Sequence, residues 1–185
     1  WPDRDRLVLS KGHAAPALYA FLAERGYFPV NELTSHRQIN SRLQGHPALN
    51  YTPGVDMSTG SLGQGLSAAN GMAIAGRLDG KPYRVYVVIG DGESQSGQIW
   101  EAAMAAAHYK LDNLTAILDY NKLQIDGPVE KVMGIEPIFE KWKSFNWNVL
   151  EVDGHDIRAL IEAVDEALRF KGAPTLIIAH TIKGK

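Results

Sequence analysis

Asp91 and Asn121 are the two residues of this sequence best placed to do chemistry. Asp91 stands between Gly90 and Gly92 in the stretch VYVVIGDGESQSG, and Asn121 opens NKLQIDG. A dinucleotide-binding loop needs G-x-G-x-x-G, whose third glycine lets helix and strand pack closely. Here Gln95 takes the third position, and the next glycine is Gly97. An aspartate facing a pyrophosphate would also be repelled, unless a cation lies between them. Mg²⁺ supplies that reason, because it takes a near-octahedral shell of hard oxygens, commonly one or two carboxylates plus ligand phosphates. Asn121 is a second oxygen donor, one helix and one strand further on, and Gly92 leaves room for a diphosphate to approach the backbone. Taken singly, Asp91 reads equally as a turn residue and Asn121 as an ordinary strand end. As a pair they point to a metal.

The elements that must position this pair alternate. VYVVI with Arg84 before it is a short β-branched run, as expected for a strand buried on both faces. GQIWEAAMAAAHYKL reads as a helix, LTAILDY and WNVLEVDG as strands, and TLIIAHT as a fourth strand. APALYAFLAERG is a helix with Pro16 in its first turn and Gly26 as its stop. SLGQGLSAANGMAIAGRLDG is helical in pattern and rich in Gly, Ala and Ser, so another backbone can come close. Between Asp156 and Gly172 apolar residues recur at helical spacing. This order predicts an α/β fold, a three-layer αβα arrangement on a parallel sheet with right-handed crossovers. Ligands then sit beyond the carboxyl ends of the strands, at 90–92 and 119–123.

Composition bounds the rest. The chain has 185 residues, 45% apolar and 22% charged, enough for one domain with a substantial core. A net charge of −2 with no basic block opposes a nucleic-acid or anionic-membrane partner. The absence of cysteine excludes disulfides and thiolate metal sites, and fits a cytoplasmic protein. No apolar run reaches spanning length. The chain opens on Trp1 and ends at HTIKGK, which reads as a single domain over 1–185, truncated at both ends.

G-D-G followed at this distance by Asn, and extended by DYNKLQIDG, resembles the thiamine-diphosphate signature. Four more stretches narrow the resemblance: DRLVLSKGHA, LQGHP, STGSLGQGLSAANGMAIA and GQIWEAAMAAAHYKLDNL. In order and spacing they are similar to the N-terminal, diphosphate-binding part of transketolase, most closely to split transketolases in which this part is a separate subunit. The resemblance implies thiamine diphosphate and Mg²⁺ as cofactors, with Ca²⁺ or Mn²⁺ as possible substitutes. It implies side-chain metal ligation by Asp91 and Asn121 and backbone ligation by Leu123. Gly90, Gly92, Gly60, Ser61 and Leu62 are implied along the cofactor. His13 is implied near the diphosphate and the reacting carbon, and His46 at the hydroxyls of the sugar donor. Glu101 matches an acidic residue of the cofactor-domain interface. His36, His108, His155 and His180 are expected to be structural.

The implied activity is transfer of a two-carbon ketol unit from a ketose phosphate to an aldose phosphate, with no nucleic acid and no membrane involved. The glutamate that activates the cofactor has no counterpart here. A partner is therefore implied, a C-terminal subunit or domain carrying the pyrimidine-binding fold, in a homodimer or heterotetramer. The Gly/Ala-rich helix and the loop 60–62 are expected to face it. Where the family usually carries glutamate in the acidic cluster between the two halves, this chain has Ser96. Other readings stay open: a different thiamine enzyme such as deoxyxylulose-phosphate synthase or a ketoacid dehydrogenase component, a non-catalytic partner subunit, or a nicotinamide-dependent dehydrogenase, which the glycine spacing opposes.

Overall fold

The computed structural model describes residues 3–125 and 127–185. Trp1, Pro2 and Asp126 lie outside the described residues, and with them the first positions of the expected 1–185 domain and one position of DYNKLQIDG. Among the described residues there are seven strands: β1 (Arg6–Leu9), β2 (Val85–Gly90), β3 (Leu114–Tyr120), β4 (Leu123–Gln124), β5 (Gly127–Pro128), β6 (Asn148–Asp153) and β7 (Thr175–His180). Five form one sheet in the order β1-β2-β3-β7-β6, with every pairing parallel. β4 and β5 make a small antiparallel hairpin. The helices are α1 (Ala15–Glu24), α2 (Gln64–Leu78), α3 (Gly97–His108), α4 (Val129–Met133), α5 (Ile138–Ser144) and α6 (Ile157–Arg169).

The parallel α/β architecture is as expected, and the strand count is a correction. Sequence patterning gives four strands, whereas the sheet has a fifth, β1, paired to β2 with Arg6 opposite Val85. Its four residues, RLVL, are too few to show a period, and Leu7 remains 41% exposed on this edge strand. The hairpin and the short helices α4 and α5 likewise carry no periodic signal long enough to read.

Alternation along the strands divides the sheet into two faces. Val8, Val85, Val87, Ile89, Leu114, Ala116, Leu118, Leu176 and Ile178 point to one side and are buried with Leu66, Ala69 and Ala73 of α2 and Ile99, Ala103 and Ala106 of α3. Burying a Val, Leu or Ile side chain contributes roughly 1.5–3 kcal/mol, so this layer dominates the fold's stability. Small residues let α2 lie close against both sheet and α3, and Asn70 Nδ2 donates to Ala102 O at 2.8 Å across that contact. Trp142 stacks edge-on to Trp147 and lies beside Trp100, while Trp147 Nε1 donates to Ala103 O at 2.9 Å. This aromatic group joins α5 to α3. On the opposite face α6 packs against β6 and β7, its first turn capped by Asp156, which accepts from the amides of Arg158 and Ala159. A second cluster joins α1 to the long segment before α2, through Leu18, Tyr19, Leu22, Phe28, Leu43 and Val55, with Leu9 packed against it.

Candidate cofactor and metal site

The sheet register places the expected metal pair. Gly90, the last residue of β2, is opposite Asp119 of β3, so Asp91 and Asn121 emerge from the carboxyl ends of neighbouring strands. Asp91 is 2% exposed. Its Oδ1 accepts from the Gly92 amide at 2.7 Å, and its Oδ2 accepts from the Lys122 amide. Burial pushes the Asp91 carboxyl above its usual range; the two backbone donors oppose that shift, nearby Asp119 adds to it, and Lys11 opposes it. A buried carboxylate held by neutral backbone donors, with no ion-pair partner among the described residues, suits a hard cation.

Asn121 is held on both ends of its carboxamide. Nδ2 donates to Asp119 Oδ2 at 3.2 Å, and Oδ1 accepts from the Leu123 amide at 3.0 Å. Lys122, between them, adopts a left-handed φ of 62°, which turns the chain so that its own amide faces Asp91. The hairpin then folds over the G-D-G loop: Gln95 Nε2 donates to Gln124 Oε1 at 2.6 Å and to Met133 O at 2.7 Å. A Cβ on Gly92 would stand 3.0 Å from Gln124 Cβ, so the loop and the hairpin meet at glycine distance. Among the described residues no group of three His, Asp or Glu side chains could hold a metal. A divalent ion here would draw on Asp91, Asn121, the Leu123 carbonyl and the ligand's own phosphates, a hard-oxygen set these residues fit.

A second group approaches from the other end of the chain. β1 runs into the turn Ser10-Lys11-Gly12-His13, where Gly12 is required by close contact. A Cβ there would fall 2.8 Å from the Gly60 nitrogen and from Thr59 Oγ1. Gly60 itself has φ +145°, and a Cβ on it would meet the His46 ring at 3.1 Å. The turn bearing His13, the loop 60–62 and His46 are thereby gathered into one cluster. Both histidines are exposed, as are Ser61 and Leu62. Partial burial holds the His13 imidazole below its ordinary 6.5; Lys11, Lys183 and His46 press the same way and Glu93 opposes them.

Three residues central to this arrangement escape sequence reading. Glu93, 3% exposed, accepts at Oε1 from Ser10 Oγ and from the Gly63 amide at 2.8 Å, and at Oε2 from the Gly90 amide at 3.1 Å. One carboxylate thus ties together the end of β1, the start of α2 and the end of β2. Lys11, 8% exposed, forms an ion pair with Asp119, whose Oδ1 also accepts from Thr181 Oγ1. Burial alone would raise Asp119; Lys11 and Thr181 outweigh it and hold the carboxyl below its usual value. The available signal was a charge set directly after, or inside, an apolar strand run.

Glu101 does not join these residues. It is exposed on α3, on the face it shares with Met104 and His108, and makes no hydrogen bond or ion pair among the described residues. Ser96 precedes α3 without a capping bond, and its Oγ lies where a Cβ on Gly63 would be. α2 is buried against the sheet and α3 but open at Gln64, Gly71 and Ala75, which share one stripe. The remaining histidines sit elsewhere: His36 lies edge-on to Tyr19, His108 against Tyr109, His180 with Glu151, and His155 accepts from the Ile182 amide.

Residues 1–185 match the family described as transketolase, thiamine diphosphate binding domain. The chain belongs to the transketolase family. It is 52% identical, over all of its 185 residues, to the 6-deoxy-6-sulfo-D-fructose transketolase subunit of Clostridium sp. (strain MSTE9), of which it covers 67%. It is 44% identical over 183 residues to an apulose-4-phosphate transketolase subunit of Actinobacillus succinogenes, covering 66% of that protein and 99% of itself. The fold matches a transketolase structure from Pichia stipitis with a TM-score of 0.91 at 38% identity, over 96% of this chain and 28% of that one. This transketolase domain thus spans about two thirds of the length of the related subunits and under a third of the solved enzyme.

Proposed function

We propose that this domain is the diphosphate- and metal-binding half of a transketolase that moves a two-carbon ketol unit from a ketose phosphate to an aldose phosphate. The observation that carries the reading is the convergence of Asp91 and Asn121 at neighbouring strand ends within a chain that matches the thiamine diphosphate binding family along its whole length. When bound, thiamine diphosphate supplies an electron sink that lets a carbon–carbon bond beside a ketone carbonyl break and re-form. Everything else is positioning and proton handling by the protein.

Asp91, Asn121 and the Leu123 carbonyl would hold a divalent ion, Mg²⁺ by preference and Ca²⁺ or Mn²⁺ as substitutes, which would supply positive charge against the diphosphate. Gly90 and Gly92 give the diphosphate access to the backbone, and Gly60, Ser61 and Leu62 line the cofactor's path. His13 and His46, gathered across Gly60, hold and move protons at the hydroxyls of the sugar. Partial burial, and then Lys11, favour the neutral imidazole of His13, the form that accepts a proton. The domain works with a second subunit or domain carrying the pyrimidine-binding fold, in a homodimer or heterotetramer. That partner seats on the side presenting the loop 60–62 and the open stripe of α2.

The relatives' own substrates differ, one named for a sulfosugar and another for apulose 4-phosphate. The test is a coupled assay of the full natural chain with xylulose 5-phosphate and ribose 5-phosphate, alone and with its candidate partner subunit. Ketol transfer that requires the partner, thiamine diphosphate and a divalent ion is the expected result. Transfer by rigorously pure protein without any partner would overturn the split-site reading.

A further inference from the structure

Asp119 is a half-buried carboxylate next to the expected metal ligands, and its two oxygens already accept three side-chain donors. Oδ1 accepts from Thr181 Oγ1, while Oδ2 accepts from Lys11 Nζ and from Asn121 Nδ2. These three donors arrive from different parts of the sheet: Lys11 follows β1, Asn121 follows β3, and Thr181 follows β7. The Asp119 carboxylate accepts an ammonium, a hydroxyl and an amide, three of its roughly four lone-pair sites, whereas Asp91 accepts only two neutral backbone donors. Asp119 is therefore poorly placed to be a ligand and well placed to hold one.

We propose that Asp119 is a positioning residue for the metal site, one that fixes which end of the Asn121 carboxamide faces the ion. This rests on the metal reading of Asp91 and Asn121. A carboxamide has one acceptor end and one donor end, and only the oxygen can ligate a cation. Asp119 takes the Nδ2 end and the Leu123 amide takes the Oδ1 end, so both contacts select the same orientation. Lys11 and Thr181 in turn anchor Asp119, and the Lys11 ion pair is largely buried, with the lysine side chain 9% exposed. Partners of this kind behind a ligand commonly set metal affinity by 10–100-fold when changed.

Asp119→Asn keeps the shape but leaves one side-chain acceptor for three donors, so the hold on Asn121 is lost or shared. Mg²⁺ demands near-octahedral geometry, whereas Ca²⁺ tolerates irregular shells of six to eight oxygens. The variant should therefore lose roughly 10–100-fold in Mg²⁺ affinity and clearly less in Ca²⁺ affinity. Both are measured by calorimetry on the full natural chain assembled with its partner, at fixed thiamine diphosphate. Thr181→Val, which removes one anchor of Asp119 without touching Asn121, should show a smaller loss with the same Mg²⁺-over-Ca²⁺ ordering. It carries the test if Asp119→Asn does not fold. Equal losses for the two ions, or no loss in a folded variant, would overturn the positioning role. Wild-type protein that binds neither ion with the cofactor would instead overturn the metal site on which this inference rests.

Discussion

The Lys122 amide donates to Asp91 Oδ2, so the carboxylate that follows β2 is fastened to the turn that follows β3. Two strand ends thereby become one rigid rim, and the residues proposed to meet the metal are held before any ion arrives. Pre-arranged oxygens reduce the ordering that binding must otherwise impose.

Replacing Asp91 by alanine removes the one charged side chain from the proposed donor set and leaves the Gly92 and Lys122 amides without their acceptor. The expected outcome is near-complete loss of Mg²⁺-dependent thiamine diphosphate binding in a protein that still folds. Calorimetry with and without a chelator, on protein checked by circular dichroism, measures this. Unchanged affinity in both conditions would remove Asp91 from the site.

Glu93 stabilises three segments at once, so its loss should be felt in the fold before it is felt in chemistry. Glu93→Ala strands the buried Gly63 and Gly90 amides and the Ser10 hydroxyl. Each buried donor left unpaired costs about 1–3 kcal/mol. Thermal unfolding of the cofactor-free chain should show a drop of several kcal/mol, with Glu93→Gln milder because one acceptor oxygen remains. A near-neutral Glu93→Ala would mean that water replaces all three contacts.

Gly60→Ala combines two penalties, a left-handed φ of +145° and a Cβ 3.1 Å from the His46 ring. Strain of this kind costs about 1–3 kcal/mol. The expected result is a lowered unfolding temperature and, in the assembled enzyme, a fall in kcat/KM for the ketose donor as His46 shifts. Retained wild-type stability would show that the loop relaxes freely.

The pH dependence follows from His13. Its folded pKa is lowered, mainly by burial and then by Lys11, so the folded state binds a proton less readily than the unfolded chain. Stability is full above the ordinary value of 6.5 and is lost as pH falls from there through the folded value. His13→Asn should therefore flatten the decline in unfolding temperature between about pH 7 and pH 5. Parallel declines in wild type and variant would show that other groups set the acid limb.

The β2–α3–β3 unit was legible because each strand is a continuous apolar run closed by polar residues, and the helix between them is long. The positions of Asp91 and Asn121 followed from that order alone. β1 was not legible, since four residues with an arginine show no period, and the meaning of Lys11 was lost with it. Asp119 and Glu93 are single charges whose partners lie far along the chain, and no local pattern announces such contacts. The His13–Gly60–His46 cluster depends on backbone contact at Gly12, a packing fact that spacing cannot express. Motif resemblance brought those three residues forward, whereas composition and periodicity would have left them apart.

The group around Asp119 joins the eleventh residue to the hundred-and-eighty-first. On a ribosome, β2, α3 and β3 emerge as one contiguous stretch, so the rim of Asp91 and Asn121 can form while the rest of the chain is still being made. Thr181 arrives last, behind β7, and only then is the anchor of Asn121 complete. Synthesis order thus separates the presence of the oxygens proposed to face the metal from their final alignment. Nascent chains released just before Thr181 should accordingly hold Mg²⁺ less tightly than chains released a few residues later, so that ion affinity marks the arrival of a side chain that lies just beyond the sheet.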